Sequence, residues 1–142
     1  MSLTPTNIAN SPFQPGVSQD AFALDQLIGG DLKVVTHAGR TIFGGAFVRG
    51  TVLGMVTAAG ANQNKFTIAL AAATDGSQTP AAILVDDVDA SAADALGGIY
   101  AMGEFNERAV TLGAGTTLIA AKAALETKNI YLKSSISAAD PT

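Results

Sequence analysis

The sequence has no cysteine, no tryptophan and a single histidine, His37. Without cysteine there is no disulfide, no thiolate metal site and no thiol nucleophile. Any histidine-dependent triad or metal site would have to be built on His37. Charge is scarce too: 14% of the residues are charged, against about 25% in an average globular chain. No Lys or Arg lies between Lys65 and Arg108, whereas Asp75, Asp86, Asp87, Asp89, Asp94, Glu104 and Glu107 all fall there, and the net charge is -4. A phosphate backbone needs clustered Lys and Arg, and single strands need aromatic residues interleaved with basic ones. Six Phe and two Tyr without basic neighbours do not supply that, so nucleic acid is not expected as a partner.

Long apolar runs are missing as well. Mean hydropathy is +0.32, yet no segment approaches the roughly 18 to 20 apolar residues of a spanning helix. Residues 1–19 carry no charge but are rich in Thr, Asn, Ser, Gln and Pro. They lack a basic start and an apolar centre, so neither a signal peptide nor an anchor is expected, and no membrane partner. The remaining composition fits one domain of 142 residues, 48% of them hydrophobic. So few charges on so apolar a chain imply surface that is covered by association, which points to an interaction protein.

Residues 1–20 read as an extended arm. Pro5, Pro12 and Pro15 lack amide donors and bias their predecessors towards extended backbone. Leu3, Ile8, Phe13 and Val17 give the arm apolar side chains that a solvated linker does not need. Residues 21–30, with Phe22, Leu24, Leu27 and Ile28, allow one or two helical turns stopped by Gly29 and Gly30. Strand patterns follow at 32–37, 46–49 and 51–56, the last apolar on both faces and therefore central. Phe66, Ile68 and Leu70 share one face of a further strand, with Thr67 and Ala69 on the other. Thr74-Asp-Gly-Ser77 is a turn signature ahead of a strand at 81–85 that Pro80 opens. Strands are expected at 99–105 and 110–112. Residues 116–127 form the one long helix, capped by Thr116 or Thr117 and ended by Asn129. Leu118, Ala121 and Leu125 make one stripe of it, and Ile119, Ala120, Ala123 and Ala124 cover most of the rest. A helix apolar nearly all round is expected to be buried on several sides, and its alanines allow close approach to a sheet or a neighbouring subunit. A strand at 130–133 and a tail at 134–142 complete the chain.

No catalytic constellation emerges. Gly113 and Gly115 before a helix mimic a dinucleotide loop, but Leu118 stands at the third glycine position and Lys133 where a ribose-binding acid belongs. Asp87, Asp89 and Ser91 mimic the start of a calcium loop, but Ala92 and Gly98 occupy its glycine and glutamate positions. His37 sits in a strand-like segment without a nucleophile elbow. Nothing places Glu104 and Glu107 in a pocket. No enzyme activity, cofactor or metal is expected, and the acidic stretch from Asp75 to Glu107 reads as a solvent face.

Five strings occur in order: Asp25-Gln-Leu-Ile-Gly-Gly-Asp31, Arg49-Gly-Thr-Val-Leu-Gly54, Thr74-Asp-Gly-Ser-Gln-Thr-Pro-Ala-Ala-Ile-Leu84, Gly103-Glu-Phe-Asn106 and Asn129-Ile-Tyr-Leu-Lys133. Together, over about residues 25 to 133, the chain resembles the head decoration proteins of tailed bacteriophages, the family typified by the lambda D protein. The resemblance implies an α+β, mostly β fold: a small barrel-like or tulip-like domain at 21–133 with one alanine-rich C-terminal helix and an extended N-terminal arm. It implies a non-enzymatic cement protein, a homotrimer at three-fold and quasi-three-fold positions of the expanded head, bracing it against the packaged genome. The partner is then the major capsid protein, and the location the outer surface of the virion capsid after synthesis in the host cytoplasm. The arm, through Leu3, Pro5, Ile8, Pro12, Phe13, Pro15 and Val17, becomes the capsid-binding element, and the helix stripe Leu118, Ala121 and Leu125 a candidate trimer contact. Two other readings stay open from the residues: another structural virion module, and a small ligand-binding β domain.

Overall fold

A computed structural model describes residues 26–134. These residues hold eight strands and one helix: β1 (Val35–Ile42), β2 (Gly45–Phe47), β3 (Val52–Met55), β4 (Phe66–Ile68), β5 (Pro80–Leu84), β6 (Val88–Ala90), β7 (Ala95–Asn106), α1 (Leu118–Glu126) and β8 (Ile130–Lys133). Six strands form one sheet in the order β1-β4-β3-β5-β7-β8, and β1 also pairs with β7. The first five therefore close into a barrel, with β8 added beside β7. β2 and β6 make a separate antiparallel ribbon. The fold is mostly β with one helix near the C-terminus, as expected. The arm expected at 1–20 and the tail from 135 onward lie outside the described residues.

Neighbouring residues on three barrel strands divide between two cores. Val52, Ile83 and Tyr100 join Leu27, Phe105, Leu125 and Ile130 in one. Leu53, Leu84 and Ile99 join Ile42, Phe66 and Ala90 in the other. Successive side chains of a strand point to opposite faces. With α1 covering one face and the ribbon the other, both must be apolar, which is why β3 and β5 read as unbroken hydrophobic runs. Each fully buried aliphatic side chain contributes about 1.5 to 3 kcal/mol relative to exposure. The turn before β5 forms as its sequence requires: Gly76 has φ +102°, and Asp75 Oδ1 accepts from the Ser77 amide at 3.0 Å and its hydroxyl at 2.6 Å. Gly54 of β3 lies so close to the Ser77 backbone that a Cβ there would collide with it.

Several local expectations are corrected. Residues 26–30 are not helical: Ile28 forms an antiparallel bridge with Phe105, and main-chain bonds link Gly29 N to Glu104 O (3.0 Å) and Asn106 N to Leu27 O (2.8 Å). Pairing with β7 outcompetes a helical turn that two glycines already weaken. Residues 110–112 contribute only a bridge, Thr111 to Thr51. The acidic loop contains β6, too short to show a period. Leu70 is 38% exposed while Ala69 is fully buried, because β4 ends at Ile68 and the chain turns at Ala73 N to Leu70 O.

The helix starts and stops where its caps dictate. Thr117 Oγ1 accepts from the Ala120 amide at 3.2 Å, and Asn129 adopts φ +61° after its end. Burial is narrower than expected, since only Ala121 and Leu125 of α1 are fully buried.

Candidate functional site

The candidate chemical groups are occupied separately and do not converge. His37 is exposed on β1 opposite Ile99. Asp87 Oδ1 accepts from the Arg49 amide at 2.7 Å. Asp89 Oδ1 accepts from the Ser91 amide (3.1 Å) and hydroxyl (2.5 Å). These bonds hold the Asp89 carboxyl below its ordinary range, as the Ser77 bonds do for Asp75. Asp94 pairs with Lys65 at 2.5 Å, Glu104 with Lys133 and Glu107 with Lys122. Much of the acidic stretch is thus engaged in turns and ion pairs. Among the described residues no group of three or more His, Asp or Glu could hold a metal ion. Gly113 and Gly115 serve packing: a Cβ at the first would collide with the Ala69 carbonyl, and the second has φ +76°. An open cleft of about 340 Å³ lies along the ribbon between Phe47, Val48 and Val88, flanked by the already bonded Asp87 and Asp89.

Three of the five strings meet at one place. Leu27–Gly29 line one side of the last residues of β7, and β8 lines the other, with Gly103 opposite Ile130 and Asn106 opposite Lys133 in parallel register. Phe105 fixes this junction from inside, fully buried with its ring centroid 4.8 Å from that of Tyr100. Asn106, 3% exposed, turns the chain by accepting from the Arg108 amide at 3.0 Å. Glu104 fixes it from outside. Its carboxylate pairs with Lys133 and accepts from the Leu32 amide at 3.4 Å, and a Cβ on Gly30 would run into its side chain. The bond to Lys133, helped by the Leu32 amide and opposed by partial desolvation, holds the Glu104 carboxyl below its ordinary range.

The directions of these strands decide where the chain ends leave. Residues 27–29 run antiparallel to β7 and β8 runs parallel to it. Both the chain before Gln26 and the chain after Ser134 therefore depart beside Asn106 and Glu107. The arm residues Leu3, Pro5, Ile8, Pro12, Phe13, Pro15 and Val17 lie outside the described residues, but the point from which they extend is this junction.

The helix stripe faces the chain's own core, with Leu118 partly open. Ala121 and Leu125 have no exposed surface and Leu118 packs against the same core. Side chains fully enclosed by their own chain have nothing to offer another subunit. The open face of α1 carries Ile119, 82% exposed, with Ala120 and Ala123. Sequence reasoning also missed Arg49, whose Nη1 donates to the Val85 carbonyl (2.5 Å) and the Tyr100 hydroxyl (2.7 Å), tying β5 and β7 to the start of β3. The nearest signal was its place at the head of the Arg49 to Gly54 string.

A family model described as bacteriophage lambda head decoration protein D matches residues 17–129 of the chain. No individual curated protein matches it.

Proposed function

The chain belongs to the bacteriophage lambda head decoration protein D family, and from that premise we propose that it binds the expanded phage head as a trimer and cements it. As a member of this family it is a non-enzymatic structural protein of the virion, located on the outer surface of the capsid. The proposed mechanism adds three elements: trimers at three-fold and quasi-three-fold positions, the major capsid protein as partner, and resistance to the pressure of the packaged genome. Proteins of the family associate with the major capsid protein and trimerise.

The observation that carries the reading is the match over most of the chain. The geometry supports it at the junction around Asn106, from which residues 1–25 extend. In this mechanism residues 1–20 are the capsid-binding arm, 21–133 the body and 134–142 a flexible tail. Ordering an arm of some fifteen residues costs roughly 15 to 30 kcal/mol of backbone entropy. Strand-type hydrogen bonds to the capsid and burial of Leu3, Ile8 and Phe13 offset that cost. Three arms per trimer turn modest contacts into strong avidity. Because Ala121 and Leu125 belong to the core, a helix contribution to the trimer runs through the partly open Leu118 with Ile119, Ala120 and Ala123.

Co-sedimentation of the purified protein with decoration-free expanded shells tests the reading. Saturable binding is expected, together with a light-scattering mass in solution of three times the chain. Protein that stays in the supernatant at every concentration overturns it.

A further inference from the structure

We propose that the peptide joining Asp75 to Gly76 is a site of isoaspartate formation, and that Ser77 and Gln78 hold the reaction back in the folded protein. Of all the Asp and Asn residues in the sequence, only Asp75 is followed by glycine. Glycine has no side chain to crowd its own nitrogen, so an aspartyl-glycyl step is where that nitrogen most readily reaches the neighbouring carboxyl. In the reaction the Gly76 nitrogen bonds to Asp75 Cγ, and its proton leaves with the carboxyl hydroxyl as water. The succinimide ring so formed takes up water again. Breaking its bond from nitrogen to Cγ restores aspartate, whereas breaking the bond from nitrogen to the α-carbonyl leaves isoaspartate, whose main chain runs through Cβ and Cγ.

The reacting groups are both occupied in the fold. The Gly76 amide donates to Gln78 Oε1 at 2.8 Å. On the same peptide plane, the Asp75 carbonyl accepts from the amides of Thr57 and Ala58, both at 2.9 Å. Bringing the nitrogen into bonding distance of Cγ moves this planar unit and breaks the bonds at both of its ends. The carboxylate is tied down separately: its Oδ1 accepts from the Ser77 amide at 3.0 Å and from the Ser77 hydroxyl at 2.6 Å. These bonds favour the ionised acid and hold its pKa below the ordinary value, while ring closure expels a hydroxyl from the protonated form. The surroundings leave little room for movement, since Ser77 is 2% exposed and a Cβ on Gly76 would strike Thr57.

The product would not fit the turn. Isoaspartate places one more main-chain carbon ahead of Gly76, and the Ser77 backbone that follows is packed so tightly on Gly54 of β3 that a single added Cβ would collide with it. A structural protein of the virion is not replaced once the particle is assembled, so a slow main-chain defect at this position accumulates. Ser77 and Gln78 thereby act as positioning residues that set how long the β3–β5 turn stays intact.

The test ages the full-length parent, Ser77→Ala and Gln78→Ala at neutral pH, each in native buffer and in urea, and counts isoaspartate with an isoaspartyl methyltransferase and labelled methyl donor. Fragmentation of the tryptic peptide 66–108 assigns the position. In urea all three chains are expected to form isoaspartate at Asp75 at one rate, and Asp75→Glu to remove that signal. In native buffer the parent should react at least about tenfold more slowly, because the turn must first open. Gln78→Ala and Ser77→Ala should then react about two- to tenfold faster than the folded parent, the range that one lost hydrogen bond allows, with Gln78→Ala melting as the parent does. Gln78 is exposed, so its variant reads the bond without disturbing the core. Isoaspartate in urea that is absent from Asp75 overturns the site. A folded parent that reacts as fast as the unfolded chain, or a folded Gln78→Ala that stays at the parental rate, overturns the protective role.

Discussion

Glu104 and Lys133 reach diagonally across the parallel ladder between β7 and β8, joined in an ion pair whose acid is largely covered and whose base is about half exposed. The pair links the last strand of the body to the strand that also receives residues 27–29. A single carboxylate thereby fastens both ends of the described chain.

The sign of its pH dependence follows from its lowered pKa. A carboxyl held below the ordinary value of 4.5 in the folded protein stabilises the fold above that value and loses its contribution as pH falls through the folded value. Glu104→Gln should lower the melting temperature at neutral pH and narrow the gap to the parent at about pH 3. Melts at the two pH values check this. Asp75 and Asp89 titrate in the same direction in both proteins, so the parent-minus-variant difference isolates Glu104.

Gly54→Ala should be costly despite adding one methyl group. The new Cβ meets the backbone of Ser77, which cannot swing aside as a side chain would. Overpacking of this kind costs about 1 to 3 kcal/mol. Urea unfolding should show the midpoint moving down with little change in slope.

Tyr100→Phe removes the acceptor that Arg49 Nη1 uses at 2.7 Å while leaving the ring, which lies 5.7 Å from the guanidinium carbon. A hydrogen bond from a charged donor contributes about 1.5 to 3 kcal/mol. Because Arg49 keeps the Val85 carbonyl, the expected loss is at the lower end of that range. Urea denaturation of parent and variant measures it.

Deleting residues 1–19 should separate folding from binding. Among the described residues both cores are assembled from residue 27 onward, so the truncated chain should melt with the parent and keep its light-scattering mass. It should no longer sediment with expanded shells. Undiminished binding by the truncated protein would contradict the assignment of the arm.

Much of this fold was legible in the sequence because local rules decided it. The turn at Asp75 to Ser77, the Thr117 cap, the Asn129 terminator and the two-faced strand at Val52 and Leu53 each follow from short-range chemistry. The misses have a common cause in long-range pairing. Leu27 and Ile28 look helical until β7, some seventy-five residues later, offers main-chain partners. The Ala121 and Leu125 stripe was visible as an apolar face, but periodicity does not say whether the chain's own core or another subunit covers it. The junction around Glu104 was present only as separate strings at 25–31, 103–106 and 129–133. Nothing local announces that they meet, since their contacts are made by main-chain register and one diagonal ion pair.

The central claim is that this protein decorates the mature head, and imaging tests it most directly. Purified protein mixed at saturation with decoration-free expanded capsids should add trimeric density at three-fold and quasi-three-fold positions. Capsids that gain no density at those positions under saturating protein would contradict the account.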